Sequence, residues 1–388
     1  MSNIRFEHIL VYVCIILSCF AYLPNVLFTP LYSAFTSISM LCIFLSLILH
    51  IKRKAIILNY YLKTAIPILI IVSITYFIYE ELIFKHFVNL YLTLTIYLFG
   101  YTLNDHSQKF IRTIIKVYCI TALLMGLYSI LTGIGGFQIT EGGYAILLKN
   151  SSGVILGCAT IMAYHLSTEE ESKKNKIIWI VIAIVLFLSL LTFRNRSTSV
   201  GVIILFLIIL FKHIKKNGIK SRDVILAIAI LGGLSIVGIN PINYIIQSFT
   251  ENTDTTDLES FSSGRTYMYS KAIEIYSNDV IGGNLSQNIK LLTVDNFVLS
   301  LSARTGIWGM IIYMPIYFYL WVISIKNIIT NKNTNSTLPY YCIFILLVVS
   351  FFEASYPFGP GTAIFISYFL LGHTNSYKYK KEMPPQKC

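Results

Sequence analysis

The sequence predicts an all-α protein: a polytopic transmembrane helical bundle of about twelve spans, with a large outer loop that contains a short amphipathic helix. Three observations predict it. Of 388 residues, 55% are hydrophobic and only 12% are charged, too little polar surface to wet the soluble domains such a length would otherwise make. Long apolar runs alternate with short charged ones, and twelve spans of about twenty residues would use about 240 residues and leave about 150 for loops. The net charge of +12 sits in short clusters between the runs rather than along one solvated face, so it encodes topology and not nucleic-acid binding.

The runs place spans at Ile9 to Phe28, Leu31 to Ile51, Thr64 to Tyr79, Leu82 to Leu103, Thr113 to Ile134 and Asn150 to Ser167. Six more follow at Ile177 to Phe193, Thr198 to Ile214, Val224 to Gln247, Phe297 to Ile325, Pro339 to Tyr356 and Phe358 to Gly372. Arg5 precedes the first run, but no small-residue cleavage site follows it, so the first helix is expected to stay. Alternate loops carry twenty lysines and arginines on one side, among them Lys52 to Lys54, Lys173 to Lys176 and Lys212 to Arg222, against seven on the other. That bias puts both termini in the cytoplasm and makes the number of spans even. The chain then divides into spans one to nine (1–247), an extracytoplasmic loop (248–296), and spans ten to twelve with a cytoplasmic tail (297–388). Six of the seven cysteines lie within apolar runs, so no disulfide framework is expected.

Within the long outer loop, ENTDTTDLESFSSG is polar and turn-rich, whereas RTYMYSKAIEIYSN sets Met268, Ala272, Ile275 and Tyr276 at helical spacing. This predicts a short amphipathic helix lying on the outer membrane face. Gly282 and Gly283, in NDVIGGN, are placed to end it and turn the chain back.

Four arginines stand on the side depleted of positive charge, where a planar guanidinium fork suits phosphate oxygens. Arg194 and Arg196 flank Asn195 in the short connection FRNRSTS, within reach of a lipid phosphate; the plainer account is that they snorkel to headgroups. Arg304 lies eight residues beyond Asn296, about 12 Å along its span. A charge there costs at least ~2.5 kcal/mol unless a protein partner or a wet cavity receives it, and an ion pair with Glu353 is the plainer expectation. Arg265 opens the amphipathic helix, whose N-terminus favours anions; a solvated loop arginine is the alternative. Asp295 and Asn296 stand where the loop re-enters the membrane. A carboxylate at that point can serve as general base on a sugar hydroxyl, and either residue type also suits a helix N-cap. Glu141 and Glu353 are further candidate bases. Six of the seven histidines fall at cytoplasmic ends or loops, so no zinc site is expected in the long loop. GxxG at Gly306 to Gly309 is expected to permit close helix packing.

RNRSTS leading into an apolar helix, SSGRTYMYSKAIEIYSNDVIGGN in the outer loop, and DN followed nine residues later by GIWG together resemble the O-antigen and capsule repeat-unit polymerases and the related O-antigen ligases. In the ligase branch the last motif opens with histidine. Asn296, Gly306 and Gly309 match it here, while Asp295 replaces the histidine, a departure that suits the polymerases better. These motifs lie between Arg194 and Gly309, less than a third of the chain.

The resemblance implies a membrane glycosyltransferase at the outer face of the bacterial cytoplasmic membrane. It would move a growing glycan from undecaprenyl diphosphate onto the next lipid-linked repeat of an O-antigen or capsule. The diphosphate is already a competent leaving group, so the protein need only stabilise its charge and deprotonate an acceptor hydroxyl. Arg194, Arg196, Arg265 and Arg304 are expected on the diphosphate, and Asp295 on the hydroxyl, with Asn296, Glu141 and Glu353 nearby. No metal or other cofactor is called for. The expected partners are undecaprenyl-diphosphate-linked oligosaccharide, membrane lipids and a chain-length regulator protein. Ligase, flippase or other transporter, and acyltransferase or non-catalytic membrane protein remain as alternatives.

Overall fold

A computed structural model describes residues 6–23, 26, 29–51, 70–71, 73–75, 77–78, 84–102, 108–131, 144–193, 195–217, 265–285, 294–330, 334–359 and 361–382. Among them the protein is all-helical. Its elements are α1 (Phe6–Phe20), α2 (Pro30–Ile51), α3 (Phe84–Thr102), α4 (Gln108–Leu131), α5 (Tyr144–Glu169), α6 (Lys173–Thr192) and α7 (Arg196–Asn217). Then come α8 (Arg265–Asn278), a 3-10 turn (Gly283–Leu285), α9 (Phe297–Thr330), α10 (Thr334–Val349) and α11 (Thr362–Glu382).

Ten of the twelve segments read as spans coincide with these helices. The span at Val224 to Gln247 lies outside the described residues, and so does most of the one at Thr64 to Tyr79. Among the described residues, three helical stretches are long and apolar enough to cross a membrane: Lys109–Tyr128, Lys173–Leu191 and Phe297–Thr330. Their outward faces carry large apolar side chains; Val181, Ile184, Phe318 and Val322 are all more than half exposed. Contiguous faces of this kind call for lipid or a partner rather than water.

Every residue from 337 to 350 is buried, as expected for a helix that is hydrophobic all round. Accordingly α10 packs against α5, α7, α9 and α11. Small residues bring other pairs together. A Cβ at Gly100 would fall on the carbonyl oxygen of Phe369, and one at Gly372 on that of Tyr97, so α3 and α11 touch backbone to backbone.

One expectation needs correction. The span at Phe297 to Ile325 is not a continuous rod, because Gly306 has φ 56° and ψ −146° inside α9. An unbroken helix of 34 residues would be about 51 Å long, well over the ~30 Å of a hydrocarbon core. The break leaves 307–330, about 36 Å, as the part long enough to cross, and 297–305 as a short segment that carries Arg304. Gly306 does allow close approach, but of a loop and not of a second long helix. The amide of Ile307 donates to the carbonyl of Val280 at 2.9 Å, and a Cβ at Gly306 would fall on the carbonyl of Ile281.

The segment that docks there follows α8. The Asp279 carboxylate accepts the amides of Ile281 and Gly282 at 3.0 and 2.8 Å, and Gly283 takes φ 58°, so the helix ends and turns back where the two glycines place the turn. The apolar face of α8 differs from expectation in what it covers. Ala272 and Ile275 are buried against Val294 and Ala303, with Tyr269 and Leu299 beside them, so this face is turned onto the start of α9 and not toward lipid.

At the far ends of α4 and α5, Arg112 reaches Glu170 at 2.8 Å and Lys116 reaches it at 3.5 Å. Burial raises the Glu170 carboxyl, but these two charges outweigh it and hold it below the ordinary value. The unfolded chain therefore takes up this proton at higher pH than the folded one, and the stabilisation is complete above about pH 5 and lost as pH falls through the folded value. Thermal unfolding of the detergent-solubilised protein should accordingly lose its Tm more steeply between about pH 5 and pH 4 in the wild type than in Glu170→Gln. Gly306→Ala should lower stability by about 1–3 kcal/mol, because only glycine tolerates that φ and the new methyl meets the docked loop. The same melting experiment reads it.

Candidate functional site

The site is built around the start of α9. Asn296 is its N-cap: Oδ1 accepts the amide of Leu299 at 3.0 Å, while Nδ2 donates to the carbonyl of Phe351 at 3.1 Å. The amide of Phe297 donates to the Ser350 carbonyl at 2.9 Å, and Tyr317 and Ser350 share a hydroxyl hydrogen bond of 2.9 Å. The turn after α10 is thereby tied to the first residues of α9. Both polar ends of the Asn296 amide are committed to this joint.

Behind the joint, Arg304 lines a cavity of about 110 Å³ with Asn89, Ser300, Thr305, Ala354 and three rings, Phe297, Tyr313 and Phe358. The rings pack on one another, with centroids 5.4 to 5.7 Å apart, and Phe87 stacks on Tyr313 at 5.9 Å. They form a stiff apolar wall. Arg304 makes no hydrogen bond or ion pair among the described residues, and the expected pair with Glu353 is not formed. The side-chain amide of Asn89 is likewise without a partner among the described residues. A cavity of this volume holds several waters or one phosphate-sized group. What the arrangement offers is a guanidinium and an amide, both uncommitted, against an aromatic wall where charge attraction is weakly screened.

The other candidates divide by location. Glu353 lies in the same turn as Ala354, one residue outside the cavity lining. Asp295 precedes the cap, and its backbone carbonyl accepts the Tyr269 hydroxyl at 3.0 Å. Arg265 stands one turn before Tyr269 on α8, so its backbone lies toward Asp295; its side chain is outside the described residues. Gly201 of α7 faces Val348 in the last turn of α10, which puts Arg196 at the same end of the bundle as the 350–359 turn. Arg194 and Glu141 lie outside the described residues. Six candidates therefore share one end, yet only Arg304 lines the cavity, and a basin lined by several arginines is not seen among the described residues.

Between Arg194 and Arg196, Asn195 has a structural task. Its Oδ1 accepts from Thr198 N and Ser197 Oγ at 2.9 Å, and its Nδ2 donates to the Asn150 carbonyl at 3.2 Å. It caps α7 and fixes it to α5 at Gly153, where a Cβ would strike the Asn195 side chain.

A larger cavity of about 610 Å³ lies among α1, α2, α3 and α11. Hydroxyls of Ser18, Tyr22, Tyr32, Thr36, Ser37 and Ser39 line it alongside Met40, Leu41, Phe44, Ile96 and Phe365, and among the described residues its lining contains no Asp, Glu, Lys or Arg. Gly361 on its lining is three residues from Phe358 on the Arg304 cavity, at most about 10 Å along the chain.

Asn89 was not singled out by sequence reasoning. Its only signal is an amide in the apolar run that follows Lys85 and His86. The three rings were invisible as a set, being scattered over sixty residues.

No family model matches the chain, and no curated protein matches it.

If Asn296 ties the joint as described, Asn296→Ala should destabilise the purified chain by about 1–2 kcal/mol. Asn296→Asp, which keeps the cap acceptor and loses the donor to Phe351, should fall between the two in thermal unfolding.

Proposed function

We propose that this chain is a membrane polymerase of surface polysaccharide repeat units. It transfers a growing O-antigen or capsule glycan from undecaprenyl diphosphate onto the next lipid-linked repeat, at the outer face of the bacterial cytoplasmic membrane. In this reading about twelve spans cross the bilayer, both termini are cytoplasmic, and α8 belongs to the outer loop.

The observation that carries the reading is Arg304: a guanidinium with no acidic partner among the described residues, beside the uncommitted amide of Asn89, in a cavity of about 110 Å³. That volume suits a phosphate group and is too small for a sugar ring with its substituents. The departing diphosphate would place its developing charge there, and the isoprenoid chain would run into the hydroxyl-lined cavity of about 610 Å³ on the other side of the turn. Asp295 and Glu353, in the same joint, are the carboxylates proposed to take the acceptor proton. Arg196 and Arg265, at the same end, would draw the anionic carrier toward the site.

A broken helix such as α9 is also a feature of transporters, where half-helix ends meet an anion near the midplane. Here the break is covered by backbone from residues 280–283, which favours an anchor for the loop over a binding site at the break itself.

The test is a deletion strain complemented with variants, its surface glycan run on a gel. Arg304→Ala should cut polymer by about a hundredfold, as for loss of one oxyanion donor of about 3 kcal/mol, and leave glycan with a single repeat. Arg304→Lys should retain part of the activity, since it keeps the charge and loses the fork. Full-length polymer in normal amount from a well-inserted Arg304→Ala protein would sink the proposal. Polymer stranded on the carrier lipid would point to a ligase, and repeats trapped inside the cell to a flippase.

A further inference from the structure

A second polar cleft lies at the opposite end of the bundle. From Leu338 on its rim, α10 runs eleven residues to Val349, about 16 Å of helix, before the turn that borders the Arg304 cavity is reached. The cleft measures about 340 Å³, with a polar wall of Lys109, Arg112, His165 and Glu169 and an apolar wall that includes Leu338 and Leu370.

Its polar groups are incompletely matched. The Nη2 of Arg112 is taken by Glu170 at 2.8 Å, but the buried Nε has no hydrogen-bond partner among the described residues. Oε1 of Glu169, also buried, has only the imidazole Nε2 of His165 at 3.2 Å, out of hydrogen-bond alignment. Lys109 is exposed, with no acidic partner among the described residues. A side chain with an unmet donor and one with an unmet acceptor thus line the same cleft, with one positive charge in excess. A ligand that answers all three carries an anionic acceptor and, a few ångströms away, a hydrogen-bond donor. The apolar wall requires a hydrocarbon portion as well, which favours a lipid over a soluble phosphate compound.

We propose that this cleft holds the phosphodiester headgroup of a membrane lipid that also bears a hydroxyl or primary ammonium donor. The phosphate lies on Lys109 and Arg112, the donor on Glu169, and the glycerol and first methylenes on Leu338 and Leu370. Basic pockets between helices on the positively charged side of a membrane protein are suited to such headgroups. The site is independent of the glycan chemistry at the other end.

The test uses the full chain reconstituted in bilayers of phosphatidylcholine mixed equally with phosphatidylglycerol or phosphatidylethanolamine, followed by native mass spectrometry of the lipid that stays bound. Phosphatidylcholine, whose headgroup has no donor, is the internal reference. The expected result is about five-fold enrichment of the donor-bearing lipid, reduced to near parity by Lys109→Glu. Reversal of the exposed Lys173 and Lys174, outside the cleft, should leave the enrichment intact. Equal retention of phosphatidylcholine by the wild type overturns the proposal, as does an equal loss on Lys173→Glu and Lys174→Glu, which would mean diffuse attraction to a basic surface. Stabilisation by sn-glycerol 3-phosphate to the same extent as by lipid would overturn the lipid as the occupant.

Discussion

The architecture of the site depends on one backbone contact, the seat of residues 280–283 on the break in α9 at Gly306. Helices normally satisfy their own amides, so a residue out of helical geometry leaves donors and acceptors that something else must meet. Here Val280 supplies an acceptor for Ile307, and the loop lies so close that no side chain fits at either Gly283 or Gly306. The contact joins two parts of the chain that sequence order alone would leave tethered only at Asn296. It also fixes α8 against 297–305, so the segment that carries Arg304 is braced on one side by α8 and on the other by the turn after α10.

That bracing explains how a guanidinium is held without a carboxylate partner among the described residues. The setting of Arg304 is mechanical: the stacked rings of Phe297, Tyr313 and Phe358 behind, the capped helix start above, the docked loop alongside. An ion pair with Glu353 would have cancelled the field of the arginine and made it a poor receptor for an incoming anion. With no ion pair among the described residues, Arg304 keeps that field in its small cavity, at the cost of a partly desolvated charge. This is the local conflict between stability and use that binding sites characteristically retain.

Much of the fold was legible because apolar length is a coarse signal that tolerates error of several residues. The positions of the described helices, the one at 265–278 included, and the glycine turn after it follow from hydrophobic period and from backbone chemistry local to each element. What was not legible is what depends on contacts between distant segments. The break at Gly306 looks in sequence like an ordinary small-residue packing motif, since nothing in GIWG says that residues 280–283 will lie across it. Likewise, α8 could be read as amphipathic, but its partner could not: lipid and the flank of α9 are equally apolar, and Val294 and Ala303 carry no mark of which they prefer.

The same distinction applies to the candidate residues. Arg304 and Glu353 stand out because charge is rare inside apolar runs, and Asp295 and Asn296 because they sit where the polar loop meets one. Asn89 is as rare in its own run but carries no charge, and its role is visible only once α3 is seen beside the start of α9. Arg194 and Arg196 stood out for their charge, whereas the residue between them does the structural work. The capping hydrogen bonds of Asn195 and its fit against Gly153 hold the start of α7 in place. Arg196 opens that helix, so the cap fixes its place at this end of the bundle. Under the proposed function, positive charge at this end of the bundle would act on an anion at longer range than a contact, and the final grip would be left to Arg304, the arginine that lines the small cavity.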